Sequence, residues 1–232
     1  NMKKNNREPI ILGVLFGAGD PAASLVINGS LVAMAEEERF VRQKHGYGLF
    51  PKNSIKYCLK HSKLNIEDVD YIAVGRDAHK FPTHMAKHFI KTWYNYQPLG
   101  EHVLKWHLDT LDRYTPDYHL NMIKKELFDE LDKKEYPEVR FINHHYAHAC
   151  SAAYPSGFDS AVIITADGHG EEDCGSIWDY ENGKLEKIKQ WDIPNSLGWF
   201  YTKFTTWFGF RAHDGEGKLM GLAAYGKYDR EL

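Results

Sequence analysis

Ile10-Ile-Leu-Gly-Val-Leu-Phe16 runs into Gly17-Ala-Gly-Asp20, and Ala22–Ile27 follows before Asn28-Gly29 and Leu31–Ala35. The first run is apolar and bounded by charge and glycine, which predicts a buried strand. Asn-Gly between two apolar runs is a strong two-residue hairpin signal, because both turn positions need a positive φ. The stretch therefore predicts three strands, with Asp20 delivered at the end of the first. The same order returns later. Ala161–Ala166 leads into Asp167-Gly-His-Gly-Glu171, Gly175–Tyr180 follows, Asn182-Gly183 turns, and Leu185–Ile193 comes back. Two such units in one chain point to an internal duplication with Asp20 and Asp167 as matching positions. Duplicated β-β-β-α units facing across a cleft describe an α/β protein of the actin-like, ribonuclease-H-like fold with mixed sheets. A dinucleotide-binding fold is disfavoured, because the first strand enters a hairpin and not a crossover helix.

Between the repeats, Glu36–Lys44 carries both signs of charge, and Ser54–Leu59 and Val69–Val74 read as a helix and a buried strand. Phe81–Lys134 is rich in aromatics, His and Lys, has helical spacing over 104–111 and 122–131, and is punctuated by Pro98 and Pro116. It predicts a helical insertion that lies on the sheet core or covers the site, its aromatics packing rather than stacking bases. Val139–Ile142 delivers Asn143-His-His-Tyr-Ala-His-Ala149. Asn143 is a suitable N-cap for a helix, on which His144 and His148 share a face. Two imidazoles at that spacing can hold one metal ion, while His145 points about 100° away and suits a proton carrier or a substrate contact. Ser196–Phe208 and Lys218–Ala224 complete the helices, with Ser196 as a cap. The units divide as 8–158, including the insertion at 81–134, and 159–232.

Composition narrows the classes. The chain has 232 residues, 43% of them hydrophobic, which is enough for a packed core. A formal charge of −3 argues against a general nucleic-acid binder. No apolar run approaches the roughly 18 residues of a membrane span, and the start lacks a signal-peptide pattern. Cys58, Cys150 and Cys174 are odd in number and widely spaced, which suggests free thiols in a reducing cytoplasm.

Several motifs offer chemistry. Glycines Gly17 and Gly19 let a phosphate approach backbone N–H groups, whereas Asp20 suits a metal, a water or a hydroxyl. Asp167, with Gly168 and Gly170, forms the denser second loop. Arg39, Arg42 and Lys44 could hold an anionic substrate. His213-Asp-Gly-Glu-Gly217-Lys218 fails the Walker pattern, since Ala212 and Leu219 stand at defining positions. Gly215, Gly217 and Lys218 could still set N–H groups at a helix N-terminus.

Together, Ala35-Glu-Glu-Glu-Arg-Phe40 with Lys44-His45, Asn143–Ala149, Tyr154-Pro-Ser-Gly-Phe158, Thr165-Ala-Asp-Gly168 and Asp214-Gly-Glu-Gly-Lys-Leu-Met-Gly-Leu-Ala-Ala-Tyr-Gly226 resemble the N-terminal part of the nodulation-type O-carbamoyltransferases, a family that includes antibiotic-tailoring enzymes. The motifs come in the family's order along nearly the whole chain. The resemblance implies a C-terminal domain that makes carbamoyl-adenylate from ATP and carbamoyl phosphate. It further implies an N-terminal actin-like domain that moves the carbamoyl group to a small-molecule hydroxyl acceptor. It implies a divalent metal, iron, on His144 and His148, a further Asp ligand from a later segment, and His145, Asp167 or Asp20 as catalytic groups. Two departures stand out: Ala18-Gly19-Asp20 lacks the histidine that usually precedes this Asp, and the chain holds neither the rest of the second actin-like half nor the adenylate-forming domain. A fragment of this kind is expected to be inactive alone, and a homodimer would cover its exposed core surface. A sugar kinase or ATPase of the same fold is the alternative, as is a non-catalytic nucleotide- or partner-binding module; neither membrane nor nucleic acid is expected as a partner.

Overall fold

The computed structural model describes residues 8–95, 100–128 and 136–227. The predicted turn at Pro98 and the end of the insertion, over 129–134, lie outside the described residues. Contacts divide the chain into two compact units, Asn1–Ala147 and His148–Leu232. The division falls inside a helix, where the sequence placed it after residue 158.

In the first unit, β1 (Ile10–Leu15) alternates buried and half-buried residues, as its apolar run requires. It pairs antiparallel with β2 (Ala22–Ile27), bringing Leu12 opposite Leu25. Asn28 and Gly29, with φ of 51° and 72°, make the tight turn into β3 (Ser30–Glu36). On its other side β1 pairs parallel with β4 (Tyr71–Val74), which pairs parallel with β5 (Glu138–Phe141). The order β3-β2-β1-β4-β5, with an antiparallel meander on one side and parallel strands on the other, is that of the actin-like, ribonuclease-H-like unit. Leu12, Leu25 and Ile72 are fully buried at its centre, each stabilising the unit by about 1.5–3 kcal/mol.

A short helix α1 (Glu38–Val41) follows β3, and α2 (Lys52–His61) buries Ile55, Cys58 and Leu59 against the sheet. The insertion forms α3 (Phe81–Asn95), α4 (Glu101–Arg113) and α5 (Pro116–Phe128). Its Ile123 and Phe128 join the main core. Between α3 and α4, the Phe89 and His107 rings stack at 3.9 Å, and Trp93 Nε1 donates to His107 Nδ1 at 2.7 Å. Burial, reinforced by neighbouring His88, lowers the His107 pKa, which suits an imidazole that accepts a hydrogen bond. These aromatics therefore pack within the insertion, as expected.

Helix α6 (His144–Ala153) begins where Asn143 Oδ1 accepts the Tyr146 amide at 2.9 Å, the anticipated N-cap. In the second unit, β6 (Ser160–Ala166), β7 (Asp173–Glu181) and β8 (Lys184–Asp192) form an antiparallel sheet. Asn182 and Gly183 repeat the left-handed turn, with φ of 49° and 80°. Helix α7 (Leu197–Trp207) starts on Ser196, whose hydroxyl accepts the Trp199 amide, and α8 (Glu216–Leu222) follows. Among the described residues no helix is long and apolar enough to cross a membrane. All three cysteines are free thiols, and burial raises the pKa of Cys58 and, with Asp192 and Asp173 nearby, takes that of Cys174 to about 11.

One feature of the charged stretch escaped the sequence. Glu37 is 2% exposed. Its carboxylate accepts the amide and side-chain nitrogen of Asn53 and the amide and hydroxyl of Ser54, at 2.6–3.2 Å. A negative group thus sits on the first turn of α2, where unpaired N–H groups and the helix dipole favour it. Replacing it leaves those donors without their acceptor. Glu37→Ala should destabilise the first unit by about 2–4 kcal/mol and Glu37→Gln by less, read as a lowered urea midpoint; an unchanged midpoint for both would disprove the cap.

Candidate functional site

Asp167 lies just past β6 and is held by three elements of the second unit. Its amide donates to the Cys174 carbonyl at 3.0 Å, and its own carbonyl accepts the Ser196 hydroxyl at 2.8 Å. A Cβ on Gly198 would lie 2.7 Å from the Asp167 carbonyl carbon, so only glycine lets α7 approach this closely. The side chain is then divided. Oδ1 accepts the Gly168 amide at 2.6 Å, and Oδ2 lies 3.3 Å from His148 Nε2. The sequence offered Asp167 as a metal, water or hydroxyl contact and as a proton acceptor; the structure sets its Oδ2 beside His148.

His148 stands one helical turn after His144 on α6. Within the first unit, His144 Nδ1 lies 3.3 Å from the Gly75 carbonyl. A proton on Nδ1 would satisfy that carbonyl and leave Nε2 with its lone pair, the arrangement of an imidazole prepared as a ligand. His145 is fully buried, with its ring edge-on to His144 at 5.6 Å.

The loop after β1 is built differently. Gly17, at φ +88°, passes its carbonyl to the Tyr114 hydroxyl at 3.1 Å. Tyr114 in turn lies against Arg76, whose guanidinium carbon is 4.7 Å from its ring centroid and 5.0 Å from that of Phe81. The insertion is thereby fastened to the first glycine loop. Gly19 faces Tyr47, whose ring would lie 2.7 Å from a Cβ there. Asp20 meets His45, with Oδ1 to Nδ1 at 2.8 Å. The sequence quoted His45 only as part of a motif. Arg39 is bound to Glu36 and Glu38 at 3.0 and 3.5 Å on the surface, Arg42 closes α1 at φ +58°, and Lys44 starts the 3-10 turn Lys44–Gly46.

The remaining glycines were expected near phosphates. The Gly168 amide is taken by Asp167, and the Gly170 amide donates to the Asp173 carbonyl at 2.7 Å. Gly215 precedes α8, and Gly217 and Lys218 lie within it. The Glu216 carboxylate already answers this turn, accepting the His213 amide at 3.0 Å and the Thr202 hydroxyl at 2.9 Å. Burial pushes the Glu216 pKa up, but the His213 amide, its own amide and the Thr202 hydroxyl outweigh it, and the net shift is downward. A lowered carboxyl pKa stabilises the fold at neutral pH and loses that contribution as pH falls through the folded value. Acid unfolding of the second unit should therefore steepen below about pH 4.5, the ordinary value for this group; Glu216→Gln should flatten that limb in pH-dependent melts.

The family model described as carbamoyltransferase N-terminus matches residues 10–232. An uncharacterised protein of Synechocystis is 35% identical over 94% of this chain and 35% of its own length. Nodulation protein NolNO of Sinorhizobium fredii is 30% identical over 89% of the chain and 28% of its own length. A shorter match, 31% identical over 38% of the chain, is to a probable carbamoyltransferase HypF of Methanocaldococcus jannaschii, of which it covers 12%. The chain thus spans about a third of the length of the first two relatives. Among solved structures, component A of (R)-2-hydroxyglutaryl-CoA dehydratase from Acidaminococcus fermentans is similar, with a TM-score of 0.48 at 13% identity over 95% of this chain and 61% of that one.

Proposed function

The chain belongs to the carbamoyltransferase N-terminus family, and from that membership we propose that it forms the acceptor side of an enzyme carbamoylating a small-molecule hydroxyl. The donor in this reading is carbamoyl-adenylate, made from carbamoyl phosphate and ATP by a further domain of the same polypeptide in a reducing cytoplasm. The carrying observation is the 3.3 Å approach of His148 Nε2 to Asp167 Oδ2. With His144 one turn earlier on α6, the donor set is two imidazole nitrogens and a carboxylate oxygen. That set fits a first-row divalent ion such as iron, and oxygen-only ligation of the magnesium type does not describe it. Once bound, the ion would supply Lewis acidity toward a carbonyl or phosphate oxygen.

The chain's own residues prepare this. The Gly75 carbonyl orients the His144 ring, while Cys174, Ser196 and Gly198 fix Asp167 so that Oδ2 stays toward His148. A sugar-kinase reading explains the two Asp loops but gives the histidine pair no task.

Element analysis of the purified full-length gene product should find a stoichiometric transition ion. His148→Ala and Asp167→Ala should lose it and reduce ATP- and carbamoyl-phosphate-dependent carbamate ester formation by about a hundredfold or more. Retained activity in both metal-free variants would overturn the reading.

A further inference from the structure

The loop after the first strand contains a second His–Asp pair, in which Asp20, a candidate catalytic group of the sequence, meets His45, a residue to which neither the sequence nor the metal reading gives a role. We propose that Asp20 takes the proton of the acceptor hydroxyl, and that His45 is the positioning residue that holds its carboxylate for this step. The proposal rests on the transfer reading above.

Three observations carry it. First, the contact is specific to one atom of each partner: His45 Nδ1 lies 2.8 Å from Asp20 Oδ1. With Oδ1 engaged, Oδ2 is the oxygen that a hydroxyl would meet. Second, the two side chains differ in access, the Asp20 side chain being 59% exposed and that of His45 21%. The carboxylate is thus presented outward with the imidazole behind it. Third, both residues are held in left-handed backbone conformations, with φ of 57° and 62°. Such conformations are uncommon outside glycine, Asp and His being among the residues that adopt them more often, and main-chain bonds hold both residues there. Here the Asp20 amide donates to the His45 carbonyl at 2.7 Å, and the His45 amide donates to Glu38 Oε2 at 2.9 Å. Asp20 is therefore fixed by His45 through main chain and side chain alike. Tyr47, with its ring centroid 5.4 Å from that of His45, packs beside the imidazole.

The acceptor oxygen forms a bond to the carbamoyl carbon as its proton passes to Asp20 Oδ2. The bond from that carbon to the phosphate oxygen breaks, and its electron pair leaves on AMP. Asp20 then returns the proton to solvent. A carboxylate within hydrogen-bond reach of the hydroxyl is a sufficient base for this, provided its position is fixed.

The test separates backbone from side chain. Asn and Gly both accept the left-handed φ at position 45, but only Asn carries a nitrogen where Nδ1 stands. The full-length gene product is supplied with ATP, carbamoyl phosphate and methanol as the probe alcohol, and methyl carbamate is measured. His45→Asn should retain activity within about threefold of wild type, while His45→Gly should lose kcat about ten- to hundredfold. The KM values for ATP and carbamoyl phosphate should stay within about twofold in both, since neither variant touches donor synthesis. Asp20→Asn should lose about a hundredfold or more, and Asp20→Asn combined with His45→Gly should be no worse than Asp20→Asn alone. Wild-type rates in His45→Gly, or equal losses in His45→Gly and His45→Asn, would overturn the role of His45. No methyl carbamate from wild type would instead overturn the transfer reading itself.

Discussion

A single buried carboxylate decides where the charged stretch after β3 can go. Glu37 leaves the sheet with its amide bonded to the Pro21 carbonyl at 2.8 Å, and its side chain closes the first turn of α2. The backbone is thereby tied to the end of the first loop on one side and to a core helix on the other. The residues that follow have little freedom left: α1 is one turn long, Arg42 reverses the chain at φ +58°, and the Lys44–Gly46 turn brings His45 back onto Asp20. Buried ionised groups cost several kcal/mol unless fully hydrogen-bonded. The hydrogen bonds from Asn53 and Ser54 are what make Glu37 tolerable, and they also make it an anchor.

The sheet and its duplication were legible in the sequence because they are local. Alternating apolar residues, Asn-Gly at positions 28 and 182, and Asn143 and Ser196 as caps each act within a few residues of where they stand, and each forms as read. Strand ends differ from the reading by one or two residues, as at β4, where the first two predicted residues, Val69 and Asp70, lie outside the strand. Asp70 instead spends its carboxylate on the Ile10 amide at 2.8 Å. That bond spans sixty residues and leaves no trace in periodicity.

The site was legible only in part, for the same physical reason. Helical spacing alone puts His144 and His148 on one face of α6, and both do lie on that helix. The contact of His148 with Asp167 depends on how β6, β7 and α7 meet, and no spacing rule carries it. Glu37 illustrates the opposite failure. In a run with Glu36, Glu38 and Arg39 it looks like one more solvated charge, and only the arrival of α2 makes it internal. Likewise the glycines of the second loop invite a phosphate on paper, but the folded loop uses the Gly168 and Gly170 amides to hold itself.

The duplication makes the two acidic turns comparable, and they differ in how each Asp is held. Each copy ends its first strand near an Asp, and in each a histidine from another segment meets it. After β6 the partner is His148, reaching with Nε2 from a helix that precedes the strand, at a length of 3.3 Å. After β1 it is His45, reaching with Nδ1 from a strained turn that follows the hairpin, at 2.8 Å. The His148 contact is the longer of the two, and its carboxylate is shared, since Asp167 Oδ1 also accepts the Gly168 amide at 2.6 Å. The His45 contact is short and is accompanied by main-chain bonds from the Asp20 amide to the His45 carbonyl and from the His45 amide to Glu38. The two strand ends are thus alike in topology, and the segments packed against them give each Asp a different histidine partner.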